Sequence, residues 1–159
     1  MLPLSPPESR FLAVLAEAGC WVFGGVALAL AAGHVWRLHP DIDIAVLPEN
    51  EFLARRVLAG APRDVDRPVE LMLSAGDTDG WRYRRTPELL IPWEQALCRT
   101  HSGVVYLAPE LVLLSSSRRM APKDLEDATR VIPLLSSGAR ELLLRALPDP
   151  HPWRTTLAN

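Results

Sequence analysis

An α+β fold, with a small mixed β-sheet backed by helices and followed by C-terminal helices, is what this sequence predicts. Three observations carry the prediction. Asp41 to Leu47 and Val69 to Leu73 alternate apolar and polar residues and are rich in β-branched or bulky side chains, as half-buried strands are. Helical patterns flank the strands, from Glu8 to Glu17 ahead of them and from Glu110 to Leu147 behind them. The order is therefore helix, strand, helix, strands, then helices, which is segregated rather than regularly alternating.

Each element has its own local cause. Pro7 suits a first helical position, Leu12, Leu15 and Ala16 share a face with Phe11 beside them, and Gly19 stops the helix. Cys20 to Phe23 is a short apolar run between glycines and reads as a buried strand. Gly24-Gly25 turns the chain into the Ala/Leu-rich helix Val26 to Ala32, which Gly33 ends. His34 to Pro40 connects to the strand Asp41 to Leu47, and Pro48 closes it. Glu51 to Leu58 reads as a helix, Val69 to Leu73 as a strand, and Ala75 to Gly80 as a turn rich in Gly and Asp. Trp81 to Arg85 and Val104 to Leu107 read as further strands. Pro109 and Pro122 open helices at Glu110 to Ser116 and Lys123 to Leu134, and a last one spans Ala139 to Leu147. Pro148 to Asn159 is Pro-rich and reads as irregular.

Composition narrows the class. Hydrophobic residues make up 48% of the 159, enough for an ordinary core. The formal net charge of −2 offers no bulk footprint for nucleic acid, which is not favoured as a partner. Cys20 and Cys98 lie far apart and outside any zinc-type spacing, so they read as reduced thiols of a cytoplasmic protein. Met1 to Arg10 lacks the regions of a signal peptide. The least polar run, Ala18 to Gly33, is broken by glycines, so no membrane span is expected.

Asp41-Ile42-Asp43 is the strongest chemical signal. Residues two apart on a strand point to one side, so the two carboxylates project together while Ile42 and Ile44 face the core. Such a pair repels itself unless a proton or cation intervenes. Mg²⁺ takes carboxylate and phosphate oxygens together, which makes the pair a suitable platform for a metal-bound triphosphate. An ordinary strand with two solvent-facing aspartates is the plain alternative, although Asp is disfavoured in strands. Upstream, Gly24 and Gly25 sit between strand and helix. Glycine allows close backbone approach, and a helix N-terminus attracts phosphate.

Together the two motifs resemble the DNA polymerase β-like nucleotidyltransferase superfamily. Gly24-Gly25-Val26-Ala27-Leu28-Ala29-Leu30, and then Arg37 to Val46 with its Asp41-Ile42-Asp43 core, look like the small aminoglycoside and lincosamide nucleotidyltransferases. Val69 to Leu73, Trp81 to Arg85, Tyr106 to Leu114 and Pro122 to Asp127 are similar to further segments of that branch, so the likeness spans roughly residues 10–147. The resemblance implies a nucleotidyltransferase fold with a catalytic core over residues 1–107, a helical part over 108–147 packed on it, and a tail over 148–159.

It also implies a reaction. Asp41 and Asp43 would bind Mg²⁺, Gly24 and Gly25 would lie under the β- and γ-phosphates, and a hydroxyl of a small molecule would take a nucleoside monophosphate from an NTP, with ATP the expected one. The acceptor would be an aminoglycoside- or lincosamide-like antibiotic, in keeping with antibiotic resistance. A third carboxylate, as metal ligand or general base, is expected on a neighbouring strand. Glu70 is the candidate because it points away from Val69, Leu71 and Leu73; an exposed strand glutamate is the plain alternative, and Asp77 and Asp79 stand behind it in a turn. Arg37 and Lys123 are the candidate phosphate-binding cations, with a solvated lysine the plain alternative at 123. A homodimer that completes the acceptor site is the expectation by analogy.

For the other polar residues a plain role competes with a functional one. Arg82, Arg84 and Arg85 read first as a solvated face and second as a phosphate- or nucleic-acid-facing run. Trp36, Trp81 and Trp93 read as packing, and His39 as a neighbour able to help position phosphate. Glu49, Glu51, Asp77 and Asp79 would have to converge to hold a polycationic acceptor. One departure stands out. Branch members often carry a lysine after the helix that starts at Leu107-Ala108-Pro109-Glu110; here Ser115 to Ser117 occupy that stretch, and Arg118 and Arg119 would have to compensate. Two other readings follow: a toxin-type enzyme acting on tRNA or protein, or a non-catalytic nucleotide-binding relative.

Overall fold

A computed structural model describes residues 1–159. The first helix, α1 (Pro6–Glu17), starts two residues earlier than the pattern from Glu8 suggested, because Ser5 and Glu8 form a capping box. The Glu8 carboxylate accepts the Ser5 N–H at 2.8 Å, and its two oxygens also accept Nε and Nη2 of Arg67 at 2.7 and 2.8 Å. This fork ties α1 to the loop that leads into the third strand.

Hydrogen bonding from Arg67, opposed by burial, holds the Glu8 carboxyl below the ordinary 4.5. A depressed folded value means stability that is present above the unfolded value and lost as pH falls through the folded one. Glu8→Gln should therefore cost about 2 kcal/mol at pH 7. The gap from wild type should narrow as pH falls below the ordinary 4.5 and through the depressed folded value. Thermal denaturation across pH tests this; a gap that stays constant as pH falls well below 4.5 would contradict it.

The main sheet has five strands in the order β3-β2-β1-β7-β6. Strands β1 (Trp21–Val22) and β2 (Ile42–Val46) pair antiparallel, and β2 pairs parallel with β3 (Val69–Leu73). On the far side, β7 (Val105–Leu107) runs parallel to β1 and antiparallel to β6 (Leu97–Arg99). Ile42, Ile44 and Val46 turn one face of β2 into the core and are at most 1% exposed. The Asp43 side is the other face, as the period of two requires. Helix α2 (Gly24–Ala32) packs against β2 and β7, and α3 (Glu51–Ala59) packs beside β3. The mixed sheet, the helices behind it and the C-terminal helices match the predicted class.

Three elements between Arg85 and Val104 lie where the sequence pattern assigned none. Strand β4 (Gly80–Tyr83) forms a separate hairpin with β5 (Thr86–Pro92), and a short helix α4 (Trp93–Ala96) leads into β6. Trp81 to Arg85 is thus not one strand: Arg84 and Arg85 occupy the hairpin turn. The Tyr83 hydroxyl donates to the Leu114 carbonyl at 3.3 Å, and Trp93 Nε1 donates to the Asp77 carbonyl at 2.9 Å, which ties α4 to the turn before β4; Trp81 and Tyr83 of the hairpin line a cavity together with Ala45.

The C-terminal helices are α5 (Pro109–Ser116), α6 (Pro122–Val131), α7 (Ser137–Ala146) and α8 (Trp153–Ala158). Helix α8 corrects the irregular reading of the tail. Its Trp153 and Leu157 are each 5% exposed, and the Trp153 N–H donates to His151 Nδ1. Burial of these two side chains offsets the three nearby prolines. No helix is long and apolar enough to cross a membrane.

Candidate active site

Strand pairing builds the site. Asp43 lies opposite Glu70 in the β2–β3 ladder, and Asp41 precedes β2 on the same side. One oxygen of each of Asp41, Asp43 and Glu70 lies within 4.8 Å of the other two. Glu70 is the exposed member, while Asp41 and Asp43 are half-buried. Burial first, and then the charges of Asp41 and Glu70, push the Asp43 carboxyl up from the ordinary 3.8; Lys123 and Arg119 pull it partly back. Three hard oxygen donors that crowd one another in this way fit a divalent cation such as Mg²⁺. Asp77 and Asp79 stand outside this cluster. Asp77 pairs with Arg82 at 2.9 Å and accepts the Asp79 N–H at 2.8 Å, a turn role.

The glycine pair abuts the carboxylates. Phe23 caps α2 without a side-chain bond and donates its N–H to the Asp43 carbonyl, so the helix start is locked to β2 and its first amides stay open to a ligand. Gly24 has φ +68°, and a Cβ there would lie 2.9 Å from Asp43 Oδ2. At Gly25 a Cβ would collide with the Arg37 guanidinium and the His39 ring. Gly24→Ala should therefore cost about 1–2 kcal/mol for a left-handed alanine and also displace the Asp43 carboxylate. Nucleotide affinity, read by calorimetry, should fall more than the melting temperature suggests. An unchanged affinity would show that the turn does not face phosphate.

Arg37 proves to be more than a free cation. Its Nε and Nη2 donate to Asp127 Oδ1 and Oδ2 at 2.9 and 2.8 Å, and Trp36 Nε1 donates to the same Oδ1 at 2.9 Å. Asp127 is only 4% exposed. The loop that carries Arg37 is thereby fixed to α6, with the guanidinium against Gly25. His39 sits on the same glycine. Burial, reinforced by Arg37, lowers it to about 4, so it is neutral at pH 7 and adds no charge for phosphate.

Lys123 is exposed at the start of α6 and acts electrostatically on Asp43, as does Arg119. The sequence offers Arg119 as compensation for a missing lysine and as part of a basic surface for a macromolecular acceptor. In the fold it forks onto the 2%-exposed Asp124 at 2.7 and 2.8 Å and stands within electrostatic reach of the carboxylates. No local motif marks such a residue; the α5–α6 turn brings it there. Trp36 and Trp93 are structural donors, and Trp81 is a 5%-exposed core residue. Glu49, Glu51, Asp77 and Asp79 line no part of the cavity beside the carboxylates, and Glu51 pairs with Arg55.

No protein-family model matches the chain, and no curated protein matches it in sequence. Solved structures do match it. The crystal structure of ANT(2'')-Ia in complex with adenylyl-2''-tobramycin superposes with a TM-score of 0.60 at 16% identity, over 94% of this chain and 93% of that one. The solution structure of the antibiotic-resistance factor ANT(2'')-Ia gives 0.59 at 17% identity, over 94% and 90%. An antigenic nucleotidyltransferase-like protein from Paracoccidioides brasiliensis gives 0.51 at 20% identity, over 98% and 94%. The chain has the nucleotidyltransferase fold. Coverage above nine-tenths on both sides means that the shared fold extends over nearly the whole of each chain.

Proposed function

We propose that the protein is a Mg²⁺-dependent nucleotidyltransferase that moves a nucleoside monophosphate from an NTP to a hydroxyl of a small molecule. The observation that carries this reading is the Asp41–Asp43–Glu70 cluster beside the open N-terminus of α2. Asp41, Asp43 and Glu70 would hold the metal, which supplies charge stabilisation at the α-phosphate when bound. The first amides of α2, at Gly24 and Gly25, bind the β- and γ-phosphates, and the helix dipole favours their charge. Lys123 and Arg119 add positive charge from the α6 side, and Arg37 props the glycine turn while its charge reaches the same phosphates. Glu70, the most exposed carboxylate, faces the acceptor. The acceptor oxygen forms a bond to the α-phosphorus, the bond to the pyrophosphate oxygen breaks, and the hydroxyl proton leaves by way of the Glu70 carboxylate or solvent. A reducing cytoplasm suits the free Cys20 and Cys98.

ATP is the first nucleotide to test, and adenylyl-tobramycin in the ANT(2'')-Ia complex makes small hydroxylated molecules the first acceptors. Purified protein is incubated with each NTP, Mg²⁺ and separate pools of aminoglycosides, lincosamides, hydroxylated aromatic acids and bulk tRNA, and pyrophosphate release is followed. Release that depends on a small-molecule pool supports the proposal. Release with tRNA alone would move the acceptor to a macromolecule. Mg²⁺-dependent NTP binding without release in any pool would favour a binding-only protein.

A further inference from the structure

A cavity of about 340 Å³ opens on the carboxylate face of the sheet, one rung beyond the cluster. Ala45 and Met72 line it; they are partners in the β2–β3 ladder and stand two residues past the partners Asp43 and Glu70. Two residues along a strand is about 7 Å, and Glu70 does not itself line the cavity, so a molecule seated here reaches Glu70 by extending a hydroxyl past the Met72 rung. The volume suits a small ligand, and the walls are apolar and aromatic, with Trp21, Trp81 and Tyr83 among them. Trp81 and Tyr83 stack with ring centroids 6.1 Å apart and 21° between their planes, which gives the wall two near-parallel aromatic rings.

Charge sets the ligand class. Arg82, Arg84 and Arg85 line the cavity, and no carboxylate does. Asp77 neutralises Arg82. Arg84 donates only to the neutral carbonyl of Leu73, at 2.8 Å, and Arg85 makes no hydrogen bond or ion pair. Two guanidinium charges therefore remain at the mouth. Lys123 and Arg119 act on Asp43 and line no part of this cavity, so Arg84 and Arg85 are left for the acceptor. A polycation would meet like charge at the mouth, whereas an anion would meet a ready donor pair.

We propose that the acceptor is a flat, largely apolar hydroxyl compound carrying a carboxylate or phosphate, seated between Met72 and the Trp81–Tyr83 wall with its anion at Arg84 and Arg85, and not a polycation of the tobramycin kind. This rests on the nucleotidyltransferase reading of the neighbouring cluster.

The test measures binding of three probes to the full-length protein with Mg²⁺ and a non-hydrolysable ATP analogue present: 6-hydroxy-2-naphthoate, its neutral counterpart 2-naphthol, and tobramycin. The naphthoate should bind roughly fivefold to tenfold tighter than the naphthol. Tobramycin should not displace it. Arg84→Gln/Arg85→Gln should erase the preference for the anion while 2-naphthol binding stays, and the single Arg85→Gln should lie between. Equal binding of the two naphthyl probes, or displacement by tobramycin, would overturn the proposal. Displacement of the naphthoate by the ATP analogue would assign the cavity to the nucleotide base and overturn it equally. Binding of the analogue itself is read separately, so a failure of the nucleotide site is distinguishable from a failure of the acceptor assignment.

Discussion

Asp43→Asn is expected to reduce transfer at least about 100-fold, the scale for loss of one electrostatic stabiliser at a reacting centre, and to raise the melting temperature of the metal-free protein. Both effects have one cause. Asp43 is crowded by burial and by the charges of Asp41 and Glu70, which raise its carboxyl above the ordinary value. A carboxyl raised in the folded state contributes stability that is present below its unfolded value and lost as pH rises through the folded value. At neutral pH the ionised group is therefore a net cost to the metal-free fold, and the isosteric amide removes it. Mg²⁺ should raise the melting temperature of the wild type and leave that of the variant unmoved. Scanning calorimetry with and without Mg²⁺ reads this directly. A variant less stable than wild type without metal would mean that the carboxylate is structurally paired and that the strain account is wrong.

Asp127→Ala should be the most destabilising single change near the site. It would leave the Arg37 guanidinium and Trp36 Nε1 without their acceptor, at 21% side-chain exposure for Arg37. Removing one member of a buried pair costs about 3–5 kcal/mol, and for a chain of this size the melting temperature should drop by roughly 10 °C. The double variant Arg37→Met/Asp127→Leu should recover most of that loss, because an apolar pair of similar volume avoids the stranded charge. Nucleotide affinity of the stable double variant then isolates the contribution of Arg37 to phosphate. Equal stability of Asp127→Ala and wild type would show that the pair does not hold the loop.

The legible part of the site was the part encoded locally. Alternation put Asp41 and Asp43 on one face, and a glycine pair at a strand-to-helix junction marked the start of α2. Glu70 could be oriented by the same alternation, yet its position opposite Asp43 depends on the β2–β3 register, which no local pattern fixes. Arg37 and Asp127 are 90 residues apart, so nothing around either announces the pair. In the fold, β5 is enclosed by Pro87 and Pro92 and pairs only within its hairpin, an edge placement that the proline rule permits but does not signal. Helix α8 carries no clear local signal because Pro148, Pro150 and Pro152 crowd its approach, while its stabilising contacts come from burial of Trp153 and Leu157.

Mn²⁺ binding followed by electron paramagnetic resonance, with a non-hydrolysable ATP analogue present, tests the central claim most directly. Wild type should show a nucleotide-dependent Mn²⁺ site that is lost in Asp41→Asn and Asp43→Asn and weakened in Glu70→Gln, with circular dichroism unchanged in all three. Mn²⁺ binding of equal strength in wild type and both aspartate variants would place the metal elsewhere and contradict the account.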